Sequence, residues 1–266
     1  MEKRGIRSCA IALITAVLTA TPALAGESLQ ERVADHEDRV DAHRREKASA
    51  ALEEDLQHTI ALFREAEGTP DADKVQARLI KQVGALTKVR DDVVRIAALD
   101  TLGTLGHKGC ARYLKPFLKP YKDERGQERA AAAIQSAGEV ADDALVQPLL
   151  KVVDKSKNYS VAAEAVRALG KFRDCKRHRK RIVEELAKTL RSDMPAAPKP
   201  GRDTGDSYIP GKHGRAGTAR WIALSTVLPA ALNELTGQDI ANVGDWLALI
   251  REYRRDLGAL FVPEES

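Results

Sequence analysis

Three glycines, Gly103, Gly138 and Gly170, stand 35 and 32 residues apart, and each closes the same short apolar phrase. Ile96, Ala97, Leu99 and Leu102 precede the first. Ala131, Ala132, Ile134 and Ala137 hold the same places in the second copy, and Ala163, Glu164, Val166 and Leu169 in the third. A large apolar residue follows two positions after each glycine: Leu105, Val140 and Phe172. Steps of three and four residues describe a helix face rather than a strand. The small residues allow a neighbouring helix to approach closely. The glycine is expected near the helix end, as a left-handed cap.

Each copy runs on into a second apolar helix, at about 109–118, 142–153 and 180–190. Leu114 with Leu118, Leu145 with Leu149, and Val183 with Leu186 supply the stripes. Asp142 and Asp143 are candidate caps, and Pro148 is expected to kink or loosen its helix. A single pair of about 30 residues cannot cover its own apolar face, so several pairs must stack.

The wording of the first copy, Asp92-Val93-Val94-Arg95-Ile96-Ala97-Ala98-Leu99 through Leu102-Gly103-Thr104-Leu105-Gly106, resembles the HEAT-like repeat of bacterial proteins. The second copy lacks the Val-Arg pair, and the third has Glu164 where alanine is usual. The resemblance covers about residues 91–190. It implies an all-α fold, a right-handed α-solenoid of stacked helix pairs, and a protein that binds others rather than one with catalytic chemistry.

The flanks complete the expected organisation. Residues 1–25 read as a secretory signal peptide. Lys3, Arg4 and Arg7 precede the charge-free apolar run 9–20, and Ala23-Leu24-Ala25 forms the cleavage site. The run is shorter than the ~20 residues of a membrane span, and an uncleaved N-terminal anchor is the alternative reading. Removing residues 1–25 takes away three cations and Glu2, so the formal charge of +4 falls to about +2 and the mature chain is nearly balanced. Residues 26–68 form a charged helical arm with Leu52, Leu56, Ile60 and Phe63 on one face. The arm is a long capping helix, one strand of a coiled coil, or a partly disordered extension. Residues 69–191 hold the repeat array, whose irregular first helix starts at Thr69-Pro70-Asp71. Residues 192–217, with four prolines and five glycines, read as a long loop. Residues 218–262 form a helical cap. There a helix over 221–235 buries Ile222, Leu224, Leu228 and Leu232, and a second carries Trp246. The Trp-led helix with Leu-Asn-x-Leu-Thr-Gly resembles the terminal module of exported bacterial HEAT proteins.

Cys110 and Cys175 belong to different repeats. Helices stack about 8–10 Å apart, and a disulfide needs Cα atoms within about 7 Å, so both thiols are expected free. Lys176 and Arg177 beside Cys175 should lower its pKa. His36 and His43 share a helix face, but so open an arrangement is a poor metal site. The chain carries no zinc-protease, Cys-x-x-Cys, Gly-x-Ser-x-Gly or dinucleotide motif. Gly205 to Gly211-Lys212 misses the phosphate-loop spacing. No catalytic residue, metal or cofactor is expected.

The candidate contact residues are cationic. Lys176, Arg177, Arg179, Lys180 and Arg181 form a basic run at a helix start, the unfavourable end of the dipole. Lys155, Lys157, Lys171 and Arg173 are candidates to join it. Tyr208, Lys212, His213 and Arg215 lie in the long loop. The first reading is an exported non-enzymatic scaffold that binds a partner protein through its helical surface and basic patch. An acidic protein, an anionic headgroup or a polysaccharide fits that patch, and so does a plain solvated face. The second reading is an enzyme accessory or small-ligand binder that uses the 192–217 loop. The third, nucleic acid on 176–181, is disfavoured by export, by the absence of stacking aromatics and by Glu184 and Glu185 next in line. Nothing in the pattern points to a particular oligomeric state.

Overall fold

A computed structural model describes residues 27–193, 214–253 and 256–261; residues 1–25, expected as a signal peptide, lie outside the described residues. The described residues are helical throughout, with turns and no strand. None of their helices is long and apolar enough to cross a membrane.

The N-terminal arm is a hairpin. Helix α1 (Leu29–Glu46) starts at a capping box, in which Ser28 accepts from the Glu31 amide and Glu31 reaches back to the Ser28 amide. Lys47, in the left-handed region, turns the chain into α2 (Ser49–Ala66). The two helices pack on each other and on α3 (Ala72–Leu86), and α2 also packs on α4 (Asp92–Leu105). Val33, Val40, Leu52, Leu56 and Phe63 are all buried.

Asx side chains start the helices of the three sequence copies. Asp91 caps α4, Asp123 caps α6 (Glu124–Val140), and Asn158 caps α8 (Tyr159–Gly170); each accepts from amides two or three residues on. Asp142 does the same for α7 (Asp143–Lys155), which runs unbroken through Pro148. The second segment of the first copy is not one helix over 109–118. It divides into a 3-10 turn, the single-turn α5 (Ala111–Leu114) and another 3-10 turn. Pro116 supplies no amide hydrogen to continue the ladder. In the third copy α9 (Lys176–Asp193) starts earlier than its apolar stripe indicates.

The three glycines have a different task from the expected one. The left-handed caps are Gly106 after α4 and Ala141 after α6, while Gly103, Gly138 and Gly170 stay helical. They are points of close helix approach. A Cβ on Gly103 would stand 2.7 Å from the Cβ of Ser136 in α6, and one on Gly138 would stand 3.1 Å from the Cα of Ala168 in α8. One on Gly170 would stand 3.1 Å from the Cα of Ala231, in α11 (Leu228–Thr236). The first helices therefore pack in the order α4, α6, α8, α11. Contacts between α6 and α8 advance together along both helices: Gln127 with Asn158, Gly138 with Ala168, Glu139 with Lys171. Those two helices are therefore parallel. The second helices α7 and α9 are parallel by the same test, since Asp143 meets His178 and Gln147 meets Arg181.

The C-terminal segment also departs from expectation. The single helix anticipated over 221–235 is two, α10 (Gly214–Ser225) and α11, broken at Thr226-Val227 before Pro229. Leu224, Leu228 and Leu232 are buried, but Ile222 is 60% exposed. Helix α12 (Val243–Glu252) buries Trp246 completely, and its indole Nε1 donates to Asn233 Oδ1 at 3.1 Å.

Candidate functional site

The basic run 176–181 occupies the first two turns of α9. At 3.6 residues per turn, these six consecutive residues, five cations and His178, circle the helix, so they cannot share one patch. Arg179 points inward: its Nε donates to the Leu235 carbonyl at the end of α11, and its guanidinium stacks 4.7 Å from the Phe261 ring centroid. Such a cation suits the carbonyl end of a helix. Lys180 pairs with Asp256 at 3.3 Å. His178 faces Asp143 at 3.9 Å, and Arg181 donates to Gln147 Oε1 at 2.9 Å. Lys176 and Arg177 are exposed and form no ion pair among the described residues. Arg179, Lys180 and Arg181 thus each reach a partner on another element of the fold. Lys171 likewise pairs with Glu139 on α6.

A basic surface does exist elsewhere. Parallel α7 and α9 leave a cleft of about 770 Å³ between them. One wall is α7, with Gln147, Leu150, Lys151, Asp154 and Lys155, extended by Lys157 and Tyr159. The other is α9, with Arg181, Glu185, Lys188, Thr189 and Ser192. Arg220 of α10 closes one side and donates to the Val153 carbonyl at 2.6 Å. That carbonyl lies in the last turn of α7 and lacks a helical partner. Six cations face two carboxylates, and both carboxylates are engaged locally: Asp154 with Lys155 at 2.9 Å, Glu185 with Lys188 at 3.5 Å. The exposed Lys151 and Lys157 form no ion pair among the described residues. Of the residues anticipated from sequence as contacts, Arg181 lies in this cleft, and Lys155 and Lys157 join it.

The loop candidates Tyr208, Lys212 and His213 lie outside the described residues, and Arg215 falls in the first turn of α10. Helix α9 reaches Asp193 and α10 starts at Gly214, so both ends of the anticipated 192–217 loop are helical.

Two further polar clusters depart from their sequence readings. His36 does not lie on a solvated face. It is 1% exposed, with Nε2 on Thr59 Oγ1 at 2.8 Å and Arg39 on Nδ1 at 2.9 Å. Buried Asp55 of α2 binds Arg39 at 2.9 Å and His43 at 2.7 Å, so this network fastens α1 to α2. Burial and the neighbouring His58 and Arg39 pull the His36 pKa down to about 4. Among the described residues no group of three or more His, Cys, Asp or Glu is placed to hold a metal ion.

Cys110 and Cys175 are both free thiols. The Cys175 pKa is raised, not lowered. Burial and the hydrogen bond to Asp143 push it up to about 12, overriding the cations that follow in sequence. Burial pushes Cys110 up to about 12 as well.

Compared with known proteins, the chain matches no family model and no curated sequence.

Proposed function

We propose that the chain is an exported, non-enzymatic scaffold: a right-handed HEAT-like α-solenoid that holds a partner protein against the face of its second helices. The observation that carries this reading is the repeated register of the first helices, in which Gly103, Gly138 and Gly170 each meet the next helix in line. A regular stack of this kind produces a continuous surface rather than a closed pocket. The α7–α9 cleft lies on such a surface and is rich in cations. Export rests on the basic, apolar and small-residue segments of residues 1–25.

Tagged full-length chain expressed in its source cell, purified from the exported fraction and measured by quantitative mass spectrometry, tests both parts. The reading requires a mature N-terminus at Gly26 and one co-purifying protein near stoichiometric amount. An intact N-terminus in the cytoplasm overturns export. A preparation without partner that turns over a small molecule overturns the scaffold.

A further inference from the structure

We infer that the α7–α9 cleft binds an extended acidic peptide segment of about five residues in a partner protein. The inference rests on the scaffold reading and names the chemistry of its contact. The lining of α9 from Arg181 to Ser192 spans eleven residue rises, roughly 16 Å at 1.5 Å each. An extended chain advances about 3.3 Å per residue, so about five residues fill that length.

The charges are distributed along this path. Arg181 stands near its start, Lys188 and Lys151 along its walls, and Arg220, Lys155 and Lys157 toward the end of α7. Engagement of Asp154 and Glu185 by adjacent lysines leaves Lys151 and Lys157 as the exposed cations ready to meet carboxylates. Gln147, Tyr159, Thr189 and Ser192 place amide and hydroxyl groups among them, and these suit the peptide groups of an extended chain. Partly buried Leu150 adds an apolar contact to the lining. A phosphate backbone is served less well, because Asp154 and Glu185 would face its continuous charge and the lining holds one aromatic ring, Tyr159.

Fluorescence anisotropy with the full chain tests this, using labelled penta-aspartate as probe and penta-asparagine as the uncharged comparison. Penta-aspartate should bind about tenfold or more tighter than penta-asparagine, and more weakly as salt rises. The pair Lys151→Glu with Lys157→Glu should weaken it about tenfold or more. The pair Lys176→Glu with Arg177→Glu, outside the cleft, should change it less than about threefold. All four side chains are exposed, and circular dichroism melts confirm that the variants fold. Absence of penta-aspartate binding overturns the inference, as does equal loss in both variant pairs. Better competition by a thymidine oligonucleotide of matched charge also overturns it, in favour of nucleic acid. A co-purifying partner that survives the Lys151/Lys157 reversal overturns the cleft alone and leaves the scaffold standing. Penta-aspartate binding with no co-purifying partner does the reverse.

Discussion

Gly103 of α4 lies against Ser136 of α6 so closely that a methyl group on the glycine would meet the serine Cβ at 2.7 Å and its Cα at 2.8 Å. The contact includes backbone, so no rotamer change relieves it. In an isolated helix, glycine to alanine stabilises by about 1 kcal/mol. Here the overpacking, of about 1–3 kcal/mol, opposes and exceeds that gain. Gly103→Ala should lower the urea midpoint of the chain. Paired with Ser136→Gly in a double-mutant cycle, it should show a coupling of about 1 kcal/mol or more. A more stable Gly103→Ala variant would remove the close approach from the account.

Stability should depend on pH through the α1–α2 hairpin. Arg39 donates to His36 Nδ1, so the ring proton is on Nε2, which donates to Thr59; the Thr59 hydroxyl in turn donates to the Asp55 carbonyl. A second proton on His36 would face the Arg39 guanidinium. The folded state therefore keeps His36 neutral, with a pKa of about 4 against 6.5 unfolded. The unfolded chain binds the proton first as pH falls. Stability is thus full above pH 6.5, declines between pH 6.5 and about 4, and changes no further below that on this group's account. The whole effect is on the order of 3 kcal/mol. His58, whose ring centroid is 5.0 Å away and whose pKa is also lowered by burial, adds in the same direction. Denaturant melts at pH 7 and pH 4 should show the decline, and His36→Phe should remove most of it. An equal decline in the variant would assign it to other groups.

The thiol of Cys175 should be slow to alkylate at pH 8, despite partial exposure and two adjacent cations. Asp143 accepts its hydrogen bond and opposes its ionisation. Mass spectrometry after iodoacetamide should find Cys175 modified at least about tenfold more slowly than a free cysteine peptide. Asp143→Asn should speed it. Rapid labelling of the native chain would mean that Lys176 and Arg177 dominate after all.

Helices α11 and α12 are joined through one side-chain amide. Asn233 accepts from the Trp246 indole at 3.1 Å and from the Ile240 amide at 3.2 Å, and donates to the Ile240 carbonyl at 3.0 Å. Asn233→Ala leaves three groups without that partner and should cost about 2–3 kcal/mol. The Trp246 emission maximum should shift to the red if α12 loosens from α11. An unchanged midpoint and spectrum would show that water replaces the amide without loss.

Much of the fold was legible because apolar spacing of three and four residues survives in nearly every helix. The tight contact at Gly103 was not, since a glycine one turn before a helix end looks like a cap until the neighbouring Ser136 is in place. Pro116 and Pro229 marked the two breaks that the apolar pattern alone ran through. The basic run drew attention by its composition, yet six consecutive helical residues face every direction, and Arg179 turned toward the end of α11. The cleft takes cations from three helices, with Lys151 and Arg220 separated by 69 positions. Only the parallel packing of α7 and α9 brings them together. The His36 network was hidden for the same reason, because its partners Asp55 and Thr59 come from the other arm of the hairpin.

Photo-crosslinking in the source cell tests the central claim most directly. A p-benzoylphenylalanine placed at Lys151, inside the cleft, is compared with one at Val93, which is 60% exposed and outside it. The account predicts that one exported protein is captured from position 151 on irradiation, through an acidic segment identifiable by peptide mapping, and that position 93 captures none of it. Capture from position 93 alone, or the same partner from both positions in equal yield, would contradict it.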